Sequence, residues 1–164
     1  MKKSSGRKVE VNNFSNAKSM AVITPFKFDP ENNALMRLKK IAKDNRIEFK
    51  LLVYYQQGKL PDNVIPDPGK ILFSDRECNW FGKPTIPEVQ DFINLKLDIL
   101  IDLTSEKCFV TQYIATASSA KFKVGRFAYG DNPYDFMVTS DYSMSDEKFV
   151  QALESYLAKF QGSK

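Results

Sequence analysis

Histidine is absent from all 164 residues. That gap removes Ser-His-Asp and Cys-His nucleophilic catalysis and nearly every common zinc site. A general base would have to be a carboxylate, a lysine or a tyrosine. Cysteine is scarce: Cys78 and Cys108 form neither a C-x-x-C pair nor a disulfide framework. This usage fits a reducing compartment, so a cytoplasmic location is expected. The seven glycines build no G-x-G-x-x-G and no G-x-x-x-x-G-K-S, so a phosphate loop is not expected. No run of about 18 apolar residues occurs, so no membrane span is expected. The basic start is not followed by an apolar segment, which argues against a secretory signal. The chain reads as lacking catalytic machinery, with no cofactor and no metal.

What is present is the composition of a folded protein. Hydrophobic residues make up 43%, and thirteen phenylalanines and seven tyrosines supply large side chains for a core. The length suits one domain. Charge is unevenly placed. Lys2, Lys3, Arg7, Lys8 and Lys18 face only Glu10 within residues 1–20, so the formal excess of +4 sits at the N-terminus. The remainder balances and is no basic platform for nucleic acid. Residues 1–18 therefore read as a flexible or partner-ordered basic arm, and 19–164 as the folded domain.

Along that domain, β-rich and helical patterns alternate. Met20–Ile23 reads as a strand. Asp29-Pro30-Glu31 looks like a helix start with Asp29 as cap, and Leu35, Leu38, Ile41 and Ala42 recur at helical spacing. Phe49–Tyr55 is a second strand, the proline-rich stretch from Gly58 to Gly69 a loop, and Lys70–Phe73 a short strand. Thr85 and Glu88 have capping-box spacing before a helix that turns Val89, Phe92 and Ile93 inward. Asp98–Leu103 reads as a central buried strand. Thr104 or Ser105 caps the next helix, whose apolar face carries Phe109, Val110, Tyr113, Ile114 and Ala117. Phe122–Phe127 and Tyr134–Val138 are strands. A last helix runs from about Ser145 to Gln161, with Gly162 as its stop. Such alternation predicts an α/β domain of three layers, Rossmann-like, with a mostly parallel sheet of about six strands and helices on both faces.

Four places are candidate sites. Ligands in open α/β sheets sit outside the carboxyl ends of strands, which singles out Asp102, Thr104 and Ser105. Their plain alternative is a tied-down loop and a helix cap. Lys121, Lys123 and Arg126 put three cations within six residues. They could hold a phosphate or an acidic partner, or lie along a solvated sheet edge. Trp80-Phe81, in a loop with turn residues, could stack on a base or sugar or anchor a protein. Otherwise the pair folds back as a lid over the core. The arm, through Lys2, Lys3, Arg7, Lys8 and Lys18, could contact RNA, or it could merely solubilise.

The ordered segments Asn16–Met20, Asn79–Pro84, Asp98–Leu103, Ala120–Arg126 and Tyr134–Met137 together resemble a family of small uncharacterised bacterial proteins, a domain of unknown function. The resemblance covers about Lys8 to Phe160 and implies no activity. Residues 98–126 also resemble the N-terminal Rossmann-like half of heptosyltransferase-type glycosyltransferases, which implies a fold but not a function. The expected function is a non-catalytic binding module that contacts a phosphate-rich or acidic partner, RNA, the ribosome or a protein, through the arm. The alternatives are a half-glycosyltransferase-like enzyme or binder of a sugar phosphate or nucleotide, and an assembly subunit that uses the Trp80 loop.

Overall fold

Met20 and Val22 point to one side of a strand and Ala21 and Ile23 to the other, because successive side chains alternate. All four are fully buried, so this strand must be covered on both faces. In the computed structural model of the chain, which describes residues 6–26, 32–64, 69–126, 131–138 and 144–160, it is β1 (Ser19–Pro25), an interior strand. It is followed by α1 (Asn33–Asp44), β2 (Glu48–Tyr55), β3 (Lys70–Ser74), α2 (Pro87–Ile93), β4 (Ile99–Asp102), α3 (Phe109–Ala117), β5 (Phe122–Gly125), β6 (Phe136–Met137) and α4 (Asp146–Leu157). The described strands form one six-stranded sheet in the order β3-β2-β1-β4-β5-β6, and every pairing is parallel. The expected α/β, Rossmann-like architecture is the one observed.

Two apolar layers follow from the alternation. On one face Met20, Val22, Leu51, Ile99 and Ile101 pack with Leu38 of α1 and Phe149, Val150 and Leu153 of α4. On the other, Ala21, Ile23, Leu52 and Leu100 pack with Val89 and Phe92 of α2 and Val110 and Ile114 of α3. Among the described residues no helix is long and apolar enough to cross a membrane.

Several helix ends differ from expectation. The cap of α1 is Asn32, whose side chain accepts from the Leu35 N–H at 3.2 Å; Asp29 and Pro30 lie outside the described residues. Thr85 and Glu88 form no capping box, since the Thr85 hydroxyl donates to the Glu77 carbonyl at 2.9 Å and α2 begins after Ile86. The box forms instead at Ser74 and Glu77, on a short 3-10 turn. Neither Thr104 nor Ser105 caps α3, which starts after Cys108 with no side-chain cap. The buried side of α3 is also rotated from the expected one: Thr111 and Gln112 are inside, while Phe109 is half exposed. Phe127 and Gly162 lie outside the described residues. Ser145 caps α4 and accepts from the Lys148 N–H.

One close approach depends on a missing side chain. A Cβ on Gly125 would sit 2.2 Å from the Tyr134 ring. Glycine there lets Tyr134 lie across β5 and reach the end of β4.

Candidate functional site

The strand order reverses direction at β1. The chain builds outward from β1 through β2 to β3, and on the other side from β4 through β5 to β6. At such a switch point the connections leave in opposite directions, and a crevice forms at the carboxyl ends. A cleft of about 390 Å³ opens at this place. Its walls are Pro25 and Phe26 after β1, residues 54–57 at the end of β2, Thr104 and Glu106 after β4, and Cys108 and Thr111 at the head of α3. The volume is in the range of small-molecule sites. Phe26 and Tyr55 meet edge to face with ring centroids 5.3 Å apart. The Tyr54 hydroxyl donates to Asp75. Burial, then that hydrogen bond and the Asp75 charge, hold Tyr54 in its neutral form far above the usual phenol range.

A second, much smaller cavity of about 10 Å³ shares Thr104, Glu106, Cys108 and Thr111 with the cleft, and is closed behind by Gln112, Arg126 and Tyr134. Asp102 lies beneath it. Its carboxylate accepts from the Thr104 N–H at 2.9 Å and from the Tyr134 hydroxyl. Complete burial pushes the Asp102 carboxyl up, against the opposing effect of hydrogen bonds from Thr104 and Tyr134 and of the Arg126 charge. Arg126 is itself buried, and donates to the carbonyls of Leu103 and Met144 and to Asp146 at the start of α4. Its guanidinium carbon stands 5.1 Å from the centre of the Phe149 ring. Two buried nitrogens in this wall, Gln112 Nε2 and Arg126 Nε, have no hydrogen-bond partner among the described residues.

The sequence candidates separate. Asp102, Thr104 and Arg126 come together at this end of the sheet, and Ser105 is half-buried in the loop between Thr104 and Glu106. Lys121 is at the opposite, amino end, where its amine lies 3.0 Å from Asp98 and 3.8 Å from Glu10. Lys123 is buried within β5, and its amine donates to the Thr116 carbonyl at 3.3 Å. The three cations therefore form no common cradle. Nor do they line a solvated edge, because β5 is interior, between β4 and β6.

The described part of the arm, from Gly6 onward, is bound to the body. Arg7 makes a bidentate contact with Asp135, is mostly buried, and also donates to the carbonyls of Ala120 and Lys121. Glu10 N–H donates to the Lys121 carbonyl at 3.1 Å, and Asn13 to the Phe160 carbonyl at 2.8 Å. Lys18 contributes its backbone N–H to Asp98 at 2.7 Å. Lys8 is 86% exposed. Lys2 and Lys3 lie outside the described residues.

Trp80 and Phe81 do not fold back over the core: they are 95% and 78% exposed. They occupy the tip of a turn held by Cys78 bridged to Pro84 and by the Asn79 side chain, which accepts from the N–H groups of Phe81 and Lys83. Gly82, at φ +76°, lies against the Phe109 ring, and a Cβ there would stand 3.2 Å from it.

Reading the sequence missed Phe26, Tyr54, Tyr55, Gln56, Gln57, Cys108 and Gln112. The signal available for four of them was the run Tyr54-Tyr55-Gln56-Gln57, aromatic then amide, where an apolar strand ends at its carboxyl side. Nothing local marks Gln112, which only the fold turns inward.

A parallel, doubly covered α/β sheet with a cleft at its switch point defines the class as Rossmann-like. Within it, the chain belongs to the family of unknown function DUF6913, whose profile matches residues 1–160. A search among curated proteins finds no match.

Proposed function

We propose that this protein is a binding module for a small polar molecule, held in the cleft at the carboxyl ends of β1, β2 and β4. The observation that carries the proposal is the coincidence of that cleft with the switch point of the sheet, beside buried polar groups that are not fully paired. The sugar phosphate or nucleotide inferred from the sequence would sit at these same strand ends. Ligand binding to the native state alone adds about 2.7 kcal/mol at a hundredfold excess over Kd. For a chain of this size that corresponds to a rise of roughly 5–10 °C in Tm. A thermal-shift panel of nucleosides, nucleotides and sugar phosphates on the intact protein and on Tyr55→Ala tests the idea. A ligand that raises Tm in the intact chain and not in the variant is expected. A panel with no shift at millimolar concentrations rejects the cleft as a site for these compounds.

A second reading, a protein anchor at the Trp80-Phe81 turn, is favoured by the exposure of both rings on a braced turn. The contact of the basic arm with RNA or the ribosome rests on Lys8 and Lys18, together with the lysines at its start, because Arg7 is committed to Asp135.

A further inference from the structure

The small cavity behind the cleft has an uneven hydrogen-bonding inventory. Gln112 Nε2 and Arg126 Nε are donors only, both residues are more than nine-tenths buried, and neither nitrogen has a partner among the described residues; Thr104 Oγ1 on the same wall, also without a partner there, can donate or accept, which leaves donors in excess. The first N–H groups of α3 also begin here without a side-chain cap. A buried donor left unpaired costs about 1–3 kcal/mol, so a set of them in one wall calls for an acceptor. The cavity, about 10 Å³, admits a single oxygen atom and no tetrahedral phosphate. The net charge around it gives no reason for that oxygen to be anionic. Arg126 is already paired with Asp146. In front, the adjoining cleft offers the rings of Phe26, Tyr54 and Tyr55, surfaces suited to a flat molecule.

From this we propose that the cleft selects a planar heterocycle bearing an exocyclic carbonyl oxygen, and that this oxygen enters the small cavity to accept from Gln112 and Arg126. The inference rests on the cleft being a ligand site, and adds the chemical class of the ligand. Sites built to hydrogen-bond one group reject an analogue that lacks it, because their own donors are then left unpaired.

The test uses ligand pairs in which one member lacks that oxygen and, with it, the adjacent ring N–H: inosine against purine riboside, and uridine against its analogue lacking the 4-oxo group. Calorimetry on the full chain is expected to show one oxo compound binding at least tenfold more tightly than its partner. In Gln112→Met, which keeps the side-chain length and loses the donor, that preference is expected to vanish while the deoxo compound binds as before. Should Gln112→Met fail to fold, the intact chain still decides, since equal affinity for both members of a pair means that the cavity holds water only and overturns the inference. Sugar phosphates that bind the cleft while every nucleoside fails would overturn the inference and leave the cleft standing. Failure of all these compounds would remove both.

Discussion

At the scale of single residues, exposure and burial run against side-chain type in two places. Trp80 is nearly fully exposed, whereas Arg126 and Lys123 are buried. Tryptophan offers the largest apolar surface of any side chain, so holding one in solvent gives folding nothing. Its turn is fixed by Asn79 and by Gly82 against Phe109, so the ring is presented on a rigid support. Trp80→Ala is therefore expected to change unfolding free energy by less than about 0.5 kcal/mol, as at other surface positions. Urea titration measures this. A loss of several kcal/mol would place the ring in the core, whereas an unchanged midpoint with loss of a co-purifying protein would support the anchor reading.

At the scale of elements, the N-terminal segment acts as a strap across the amino ends of the sheet. Its contacts reach Asp98 before β4, Lys121 before β5, and Asp135 before β6. Burial alone would raise the Asp98 carboxyl, but the Lys18 N–H and the Lys121 amine outweigh it and hold Asp98 below the usual carboxylate range. A carboxyl held low in the folded state stabilises fully above its unfolded value, about 3.9, and that contribution is lost as pH falls through the folded value. Unfolding free energy is thus expected to fall as the pH is lowered from about 5 through 4 and below. Asp98→Asn should flatten part of that acid limb. Urea unfolding at several pH values compares the two, and identical acid dependence would show that the strap does not depend on the Asp98 charge.

At the scale of the whole molecule, Arg126 joins three parts that no short stretch of sequence connects: the end of β5, the loop after β4 and the start of α4. Removing one partner of a buried ion pair typically costs about 3–5 kcal/mol. Arg126→Met is expected to lower stability by an amount of that order, measured by denaturant unfolding. A neutral result would mean that the other contacts of Asp146 suffice without Arg126. The ion pair also bears on the cleft, because it fixes the back wall that carries Arg126 Nε.

The sequence by itself determined the alternation of strands and helices and hence the layered α/β class, because hydrophobic periodicity is a local property that burial enforces. It also pointed to the carboxyl end of β4 through Asp102 and Thr104. Its expected caps are not those observed: Asn32 caps α1, and α2 and α3 start without a side-chain cap, with the Thr85 hydroxyl donating to the Glu77 carbonyl instead. Charge counting read residues 1–18 as a flexible or partner-ordered arm; whether a cation there is available depends on its partner, and Arg7 pairs with Asp135, 128 positions away. The cleft itself was decided only by tertiary structure. Strand order brings Phe26, Tyr55, Thr104 and Cys108 to one crevice, and the rotation of α3 turns Gln112 inward. No local pattern encodes either, because both arise from contacts between segments far apart in the chain.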